Sequence, residues 1–169
     1  VQYSYKGKYM ASGAIRADGS SRFGKNNRWG YFPSASLAWR VSGEDFFTKA
    51  KFLSFVDDLK IRTSYGVTGN FQIGNYDHLS LMALDNYILG TGNGQLVQGY
   101  KPNTIKNDDL SWEKNAMVNV GVDLQMFKGL LGITVDYYNT NTSNMLLNVP
   151  VPHLTGYSTA LMNIGKVNN

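Results

Sequence analysis

Few residues of this chain are arranged for bond-making chemistry, and those that look suitable fail on spacing. His78 and His153 are the only histidines and stand far apart, each without a spaced carboxylate or thiol partner, and the chain has no cysteine. Neither a metal site nor a disulfide framework is expected. Asp57-Asp58 and Asp108-Asp109 put carboxylates side by side in sequence. Adjacent residues on extended chain point to opposite faces, however, and neither pair has a histidine or nucleophile beside it. Gly90-Thr91-Gly92-Asn93-Gly94 has the glycines of a phosphate loop but lacks the Lys-Ser/Thr that should follow. No Gly-x-Ser-x-Gly elbow occurs. The expectation is a protein that is not an enzyme and needs no cofactor.

Binding chemistry is better represented. Between Gly69 and Asp109 lie Tyr76, Asn86, Tyr87, Asn93, Tyr100 and Asn103. Rings for stacking beside planar hydrogen-bonding amides suit a sugar or a peptide ligand. The alternative for each is packing of the loop on itself or on a partner. Arg22, Lys25 and Arg28 cluster in an earlier polar stretch, either as a solvated loop or as a contact for anionic head groups or a charged ligand. The formal charge of +4 is scattered, and no nucleic-acid partner is expected.

The elements that would position these residues are strands. Hydrophobic residues make up 43% of the 169, yet they fall at alternate positions, and no stretch approaches the roughly 20 apolar residues of a spanning helix. Tyr9, Ala11, Gly13, Ile15 and Ala17 face one way, against Met10, Ser12, Ala14, Arg16 and Asp18. Pro33, Ala35, Leu37, Trp39 and Val41 oppose Phe32, Ser34, Ser36, Ala38 and Arg40, with Trp39 placed for an interfacial ring. Leu59 to Thr68 and Leu131 to Tyr138 alternate likewise. Trp112 to Leu124 is the clearest case, its Trp112, Lys114, Ala116, Val118, Val120, Val122 and Leu124 set against Glu113, Asn115, Met117, Asn119, Gly121 and Asp123. Ser42 to Asp57 predicts a short helical turn capped by Ser42. Residues 69–109 and 139–162 predict long polar connections, with Pro150 and Pro152 confining their neighbourhood to an extended or edge piece.

Alternation alone fits a soluble sandwich, one face in water, as well as a barrel with a watery lumen. The connections separate the two. They are short at Lys6-Gly7, medium at Ser42 to Asp57 and short at Gln125 to Gly129, against 12, about 40 and about 24 residues for the others, which is the asymmetry of an outer-membrane barrel and has no purpose in a sandwich. The opening Val1–Tyr5 starts inside a strand and Lys166–Asn169 begins another. The expected object is therefore a segment of a longer chain, residues 1–169 being a fragment of a single barrel domain.

Arg16-Ala17-Asp18-Gly19-Ser20-Ser21-Arg22-Phe23-Gly24, leading to Trp29-Gly30-Tyr31-Phe32-Pro33-Ser34, strongly resembles the SusC/RagA family of TonB-dependent outer-membrane transporters. The resemblance continues through Leu59–Asn70, Asn107–Lys114, Val120–Leu124, Asp136-Tyr137-Tyr138 and Val149–Pro152, to Gly156 and Asn163-Ile164-Gly165. It implies an all-β fold, an antiparallel transmembrane β-barrel of about 22 strands of which this chain carries about seven. It further implies a plug that this segment does not contain. The implied partners are a SusD-like surface lipoprotein, the TonB complex acting through parts absent here, outer-membrane lipid, and an oligosaccharide or peptide cargo imported across the Gram-negative outer membrane. Two other classes remain open: a soluble or surface β-sandwich that binds carbohydrate or acts as an adhesin, and a passive porin-like channel.

Overall fold

A computed structural model describes residues 1–90, 92 and 94–169. Among the described residues eleven strands form in the order β1 (Gln2–Tyr5), β2 (Tyr9–Gly19), β3 (Trp29–Arg40), β4 (Val56–Asn70), β5 (Met82–Leu89), β6 (Gln95–Pro102), β7 (Glu113–Met126), β8 (Leu131–Ser143), β9 (Leu146–Pro150), β10 (Thr159–Asn163) and β11 (Lys166–Asn168). Seven of them make one open sheet, in the order β1-β2-β3-β4-β7-β8-β11. Every pairing within it is antiparallel.

The register carries each face unbroken from strand to strand. One row runs Ala11–Leu37–Thr63–Val120–Tyr137, and the row beside it Tyr9–Trp39–Ile61–Val122–Val135. On the opposite face Ser12, Ser36, Ser64, Asn119 and Tyr138 line up, above a charged pair of rows containing Arg40, Lys60, Arg62, Asp123 and Asp136. Because the side-chain period is 2, a slip of one residue in any pair would mix the two surfaces. No polar or charged residue is buried among the described residues.

The two tight turns, 6–8 and 127–130, and the 15-residue β3–β4 connection lie at one end of the sheet, and the two longest connections, 71–112 and 144–165, lie at the other with the polar loop 20–28. The turn 6–8 uses positive φ at Lys6 (51°) and Gly7 (65°), as tight hairpins require. The turn 127–130 uses Phe127, Lys128 and Gly129 in the same region. Between β3 and β4 a single helical turn, α1 (Asp45–Lys49), forms as the sequence predicts, but Ser42 does not cap it. Glu44 occupies the N-cap without a side-chain bond to the helix backbone, and the Ser42 hydroxyl donates to Asp58.

The two long connections contain more structure than their composition suggests. Met82–Leu89 pairs with Gln95–Pro102 as a separate two-stranded β5–β6 sheet, and β9 pairs with β10 as another. The prolines sit where ladders tolerate them. Pro150 pairs with Thr159 in a two-stranded sheet, and Pro33 lies one residue past Ser34↔Gly66, where β3 stops pairing with β4. The hydrophobic core gathers at this end as well: Phe23, Phe32, Ile73, Leu110 and Trp112, flanked by Val67, Leu146 and Leu161. Trp112 therefore does not begin the apolar face of β7. The strand starts at Glu113, and the indole lies 5.3 Å from Phe23, 5.4 Å from Phe32 and 5.2 Å from Phe71, ring centre to ring centre.

Candidate functional site

On the apolar face two aromatic levels bracket a band of small and aliphatic side chains. Trp29 and Tyr31 stand near the long-loop end of β3, and Trp39 with its partner Tyr9 near the short-turn end. Eight residues separate Tyr31 from Trp39. At about 3.4 Å per residue and a tilt of about 40°, that is about 21 Å of height, close to the apolar band of a membrane barrel. The indole of Trp29 covers Gly19, where a Cβ would meet the ring at 3.2 Å.

The polar face is organised around Arg62. Its Nε donates to Asp123 at 3.1 Å, and its Nη2 reaches past β7 to Asp136 on β8 at 2.8 Å. The crossing is possible because the intervening residue is Gly121: a Cβ there would press on the Asp136 carboxylate and the Arg62 guanidinium. Thr134 donates a further bond to Asp123. Three adjacent strands are thus tied by one cation, beside the row of hydroxyl and amide side chains Ser12, Ser36, Ser64 and Asn119.

At the short-turn rim Glu44 accepts hydrogen bonds from the Tyr9 hydroxyl (2.6 Å), Trp39 Nε1 (3.3 Å) and Lys8 Nζ (3.2 Å). The Tyr9 bond foremost, then those of Trp39 and Lys8, hold the Glu44 carboxyl below its usual pKa.

The long loops are stitched by side-chain amides and carboxylates bonded to backbone. Asn163 Nδ2 donates to the carbonyls of Ser111 (2.8 Å) and Asn144 (2.9 Å), while its Oδ1 accepts from Ser111 N–H. Asn107 Nδ2 donates to Leu161 O, and the Glu113 carboxylate takes Asn70 Nδ2 and Leu146 N–H. Trp112 Nε1 donates to Arg28 O. Arg22 belongs to this network: its Nε donates to Asn75 and its guanidinium lies 5.4 Å from the Phe71 ring centre.

The sequence-derived ligand candidates share the long-loop end but not one surface. Register places Asn86 and Tyr100 on one face of the β5–β6 sheet and Tyr87 on the other. Tyr76 is an exposed loop residue before that sheet, and Asn103 follows it, its N–H bonded to Leu81 O. Asn93 lies outside the described residues, as does Thr91 of the glycine-rich run. Asn103 lines a cavity of about 170 Å³ with Asp77, Thr104, Asn148 and Thr159. This cluster of amide, carboxylate and hydroxyl groups is drawn from loops remote in sequence, and only the meeting of the two long connections brings it together. Among the described residues no group of three or more histidine, aspartate or glutamate side chains is placed to hold a metal ion.

An antiparallel sheet with one apolar face, one polar face, aromatic levels at both ends and its long loops sorted to one side is the wall of a transmembrane β-barrel. The whole chain, residues 1–169, matches the family described as "TonB dependent receptor-like, beta-barrel". It is 42% identical over its full length to TonB-dependent receptor P39 of Formosa agariphila, of which it covers 15%, and 33% identical to TonB-dependent receptor SusC of Bacteroides thetaiotaomicron, of which it covers 17%. Among solved structures it is similar to the RagAB peptide transporter, with TM-score 0.84 and 34% identity over 99% of this chain and 18% of that one. The chain belongs to the TonB-dependent receptor β-barrel family, on its SusC/RagA side. It spans about one-sixth of the length of the curated relatives it matches.

Proposed function

We propose that residues 1–169 are wall of the single barrel domain of an outer-membrane transporter that imports oligosaccharides or peptides, energised through TonB and assisted by a SusD-like lipoprotein at the long-loop end. The observation that carries this reading is the division of the sheet into an apolar and a polar face across β1–β4, β7 and β8, with the two longest connections at the same end. Similarity to a peptide transporter supports the peptide class, and the rings and amides of the long loops suit a sugar as well. The segment itself makes and breaks no covalent bond. Its contribution is a polar wall for the lumen and loops that meet cargo or lipoprotein, through Tyr76, Asn86, Tyr87, Asn93, Tyr100 and Asn103, with the Asp77–Asn103–Asn148 cavity as one contact.

Uptake by cells expressing the whole parent protein tests this. Uptake of the cargo should stop when the inner-membrane proton gradient is collapsed, while the amount of barrel is unchanged. Uptake that continues without the gradient identifies a passive channel and contradicts the proposal. Substituting Asn103→Ala and Asp77→Ala together should lower uptake at equal barrel abundance.

A further inference from the structure

The apolar face is not uniformly smooth. Near its short-turn end lies a groove of about 400 Å³ walled by Tyr3, Tyr9, Leu37, Trp39 and Ile61. It exists because Ala11 sits between Tyr3 and Leu37 in one cross-strand row, a small side chain flanked by two large ones. The next row toward the turns, Tyr5–Tyr9–Trp39, closes the lower side as an aromatic shelf. Tyr9 and Trp39 are stacked at 6.4 Å with planes 6° apart, and Tyr5 lies 6.5 Å from Tyr9. Glu44 fixes the shelf by accepting from both the Tyr9 hydroxyl and the Trp39 indole N–H. The polar edges of the two rings are thereby tied to the rim while their carbon surface borders the groove.

The rim supplies a cation. Lys8 is paired with Glu44 at 3.2 Å, whereas Lys6, 5.3 Å from the Tyr5 ring centre, is in no ion pair among the described residues. Lys6 stands on the turn side of the shelf, so a lipid lying across the rings would place hydrocarbon in the groove and an anionic head group at the rim. Bulk lipid meets every part of a barrel's outer face, but most of this face offers a chain no walls. Here rigid rings and Leu37 flank a strip one side chain deep.

We propose that this groove is a phospholipid site in the leaflet on the short-turn side, with one acyl chain lying over Ala11 and the phosphate held at Lys6. The proposal rests on the reading of this face as lipid-facing. Its test is native mass spectrometry of the whole parent protein purified in mild detergent, counting retained phospholipids. Ala11→Trp, which fills the groove, should reduce retention at least fivefold, and Lys6→Glu should also reduce it. Ala35→Trp, on the same face but away from the groove, should retain lipid as the unaltered protein does.

Equal retention by folded Ala11→Trp and the unaltered protein overturns the site, as does equal loss in Ala35→Trp, which would mean annular lipid only. A polypeptide in the groove instead of lipid also overturns it. Should Ala11→Trp fail to assemble, the exposed Lys6→Glu change gives the decision alone. Heat-dependent gel migration of the unaltered protein separates the two premises: absence of a folded membrane barrel refutes the wall reading, not the lipid site.

Discussion

At the long-loop end Phe23 and Leu110 are fully buried and Trp112 is 3% exposed, while in the strands below Ile15, Val135 and Tyr137 are 74%, 62% and 69% exposed. The two regions are similarly apolar in composition but find their apolar surroundings in different places. The loops build a small core around Phe32 of β3 and Val67 of β4, close it with three aromatic contacts, and bond their backbone to Asn107, Glu113 and Asn163. The wall has no such core. Its apolar face is complete only against hydrocarbon, and what it fixes internally lies on the other side, in the Arg62–Asp123–Asp136 crossing. The lesson is that fold information in this chain is stored twice: as packing at the outer end and as alternation and register in the wall.

The sharpest way to break that division is to empty the loop core. Trp112→Ala should cost about 3–5 kcal/mol locally, seen as faster proteolysis within residues 71–112 and 144–165 of the assembled parent barrel. The barrel itself should still form. If assembly fails outright, the outer end is not separable from the wall.

The wall should respond to crowding on its polar side. Gly121→Ala places a methyl group against Arg62 and Asp136 and should destabilise by about 1–3 kcal/mol, read as a lower denaturant midpoint in detergent or lipid. Gly132→Ala, in the adjacent strand with nothing within 4 Å of its new Cβ, should leave the midpoint nearly unchanged. Equal effects would remove the ion-pair crossing from the account.

The smallest effect belongs to the short-turn rim. The Glu44 carboxyl is held below its usual pKa by Tyr9, Trp39 and Lys8. Its folded value is thus lower than its unfolded one, so the network's contribution is present above the ordinary carboxylate pKa of about 4.3 and is lost as pH falls through the folded value. Fluorescence assigned to Trp39, by difference from Trp39→Phe, should stay flat from neutral pH to that range and change only at more acidic pH. Glu44→Gln should abolish the step. A transition above the ordinary range contradicts the assignment.

Much of the wall was visible in the sequence, because a period of two is local: Val118, Val120 and Val122 announce a face without knowledge of any neighbour. The asymmetry of the connections was visible for the same reason. What escaped depended on distant partners. The β5–β6 sheet was hidden because both of its faces carry apolar and polar residues, so no clean alternation marks it. Trp112 kept the parity of the strand that follows it, yet its surroundings come from Phe23 and Phe32, far back in the chain. Ser42 looks like a cap in the sequence, but the helix starts two residues later than that cap requires, with Glu44 at the N-cap, and the acceptor of Ser42, Asp58, lies across the connection. The cavity around Asn103 draws on four separate loop or hairpin positions, which no spacing rule links.

The central claim is that the Val120 face meets lipid and the Asn119 face meets the lumen. Two neighbouring substitutions in the whole parent protein, Val120→Arg and Asn119→Arg, test it by heat-dependent gel migration and outer-membrane abundance. Val120→Arg should lose about 2–4 kcal/mol near the midplane and abolish or strongly reduce the folded barrel, while Asn119→Arg should assemble at close to the unaltered level. Equal assembly of the two variants, or the reverse order, would contradict the account.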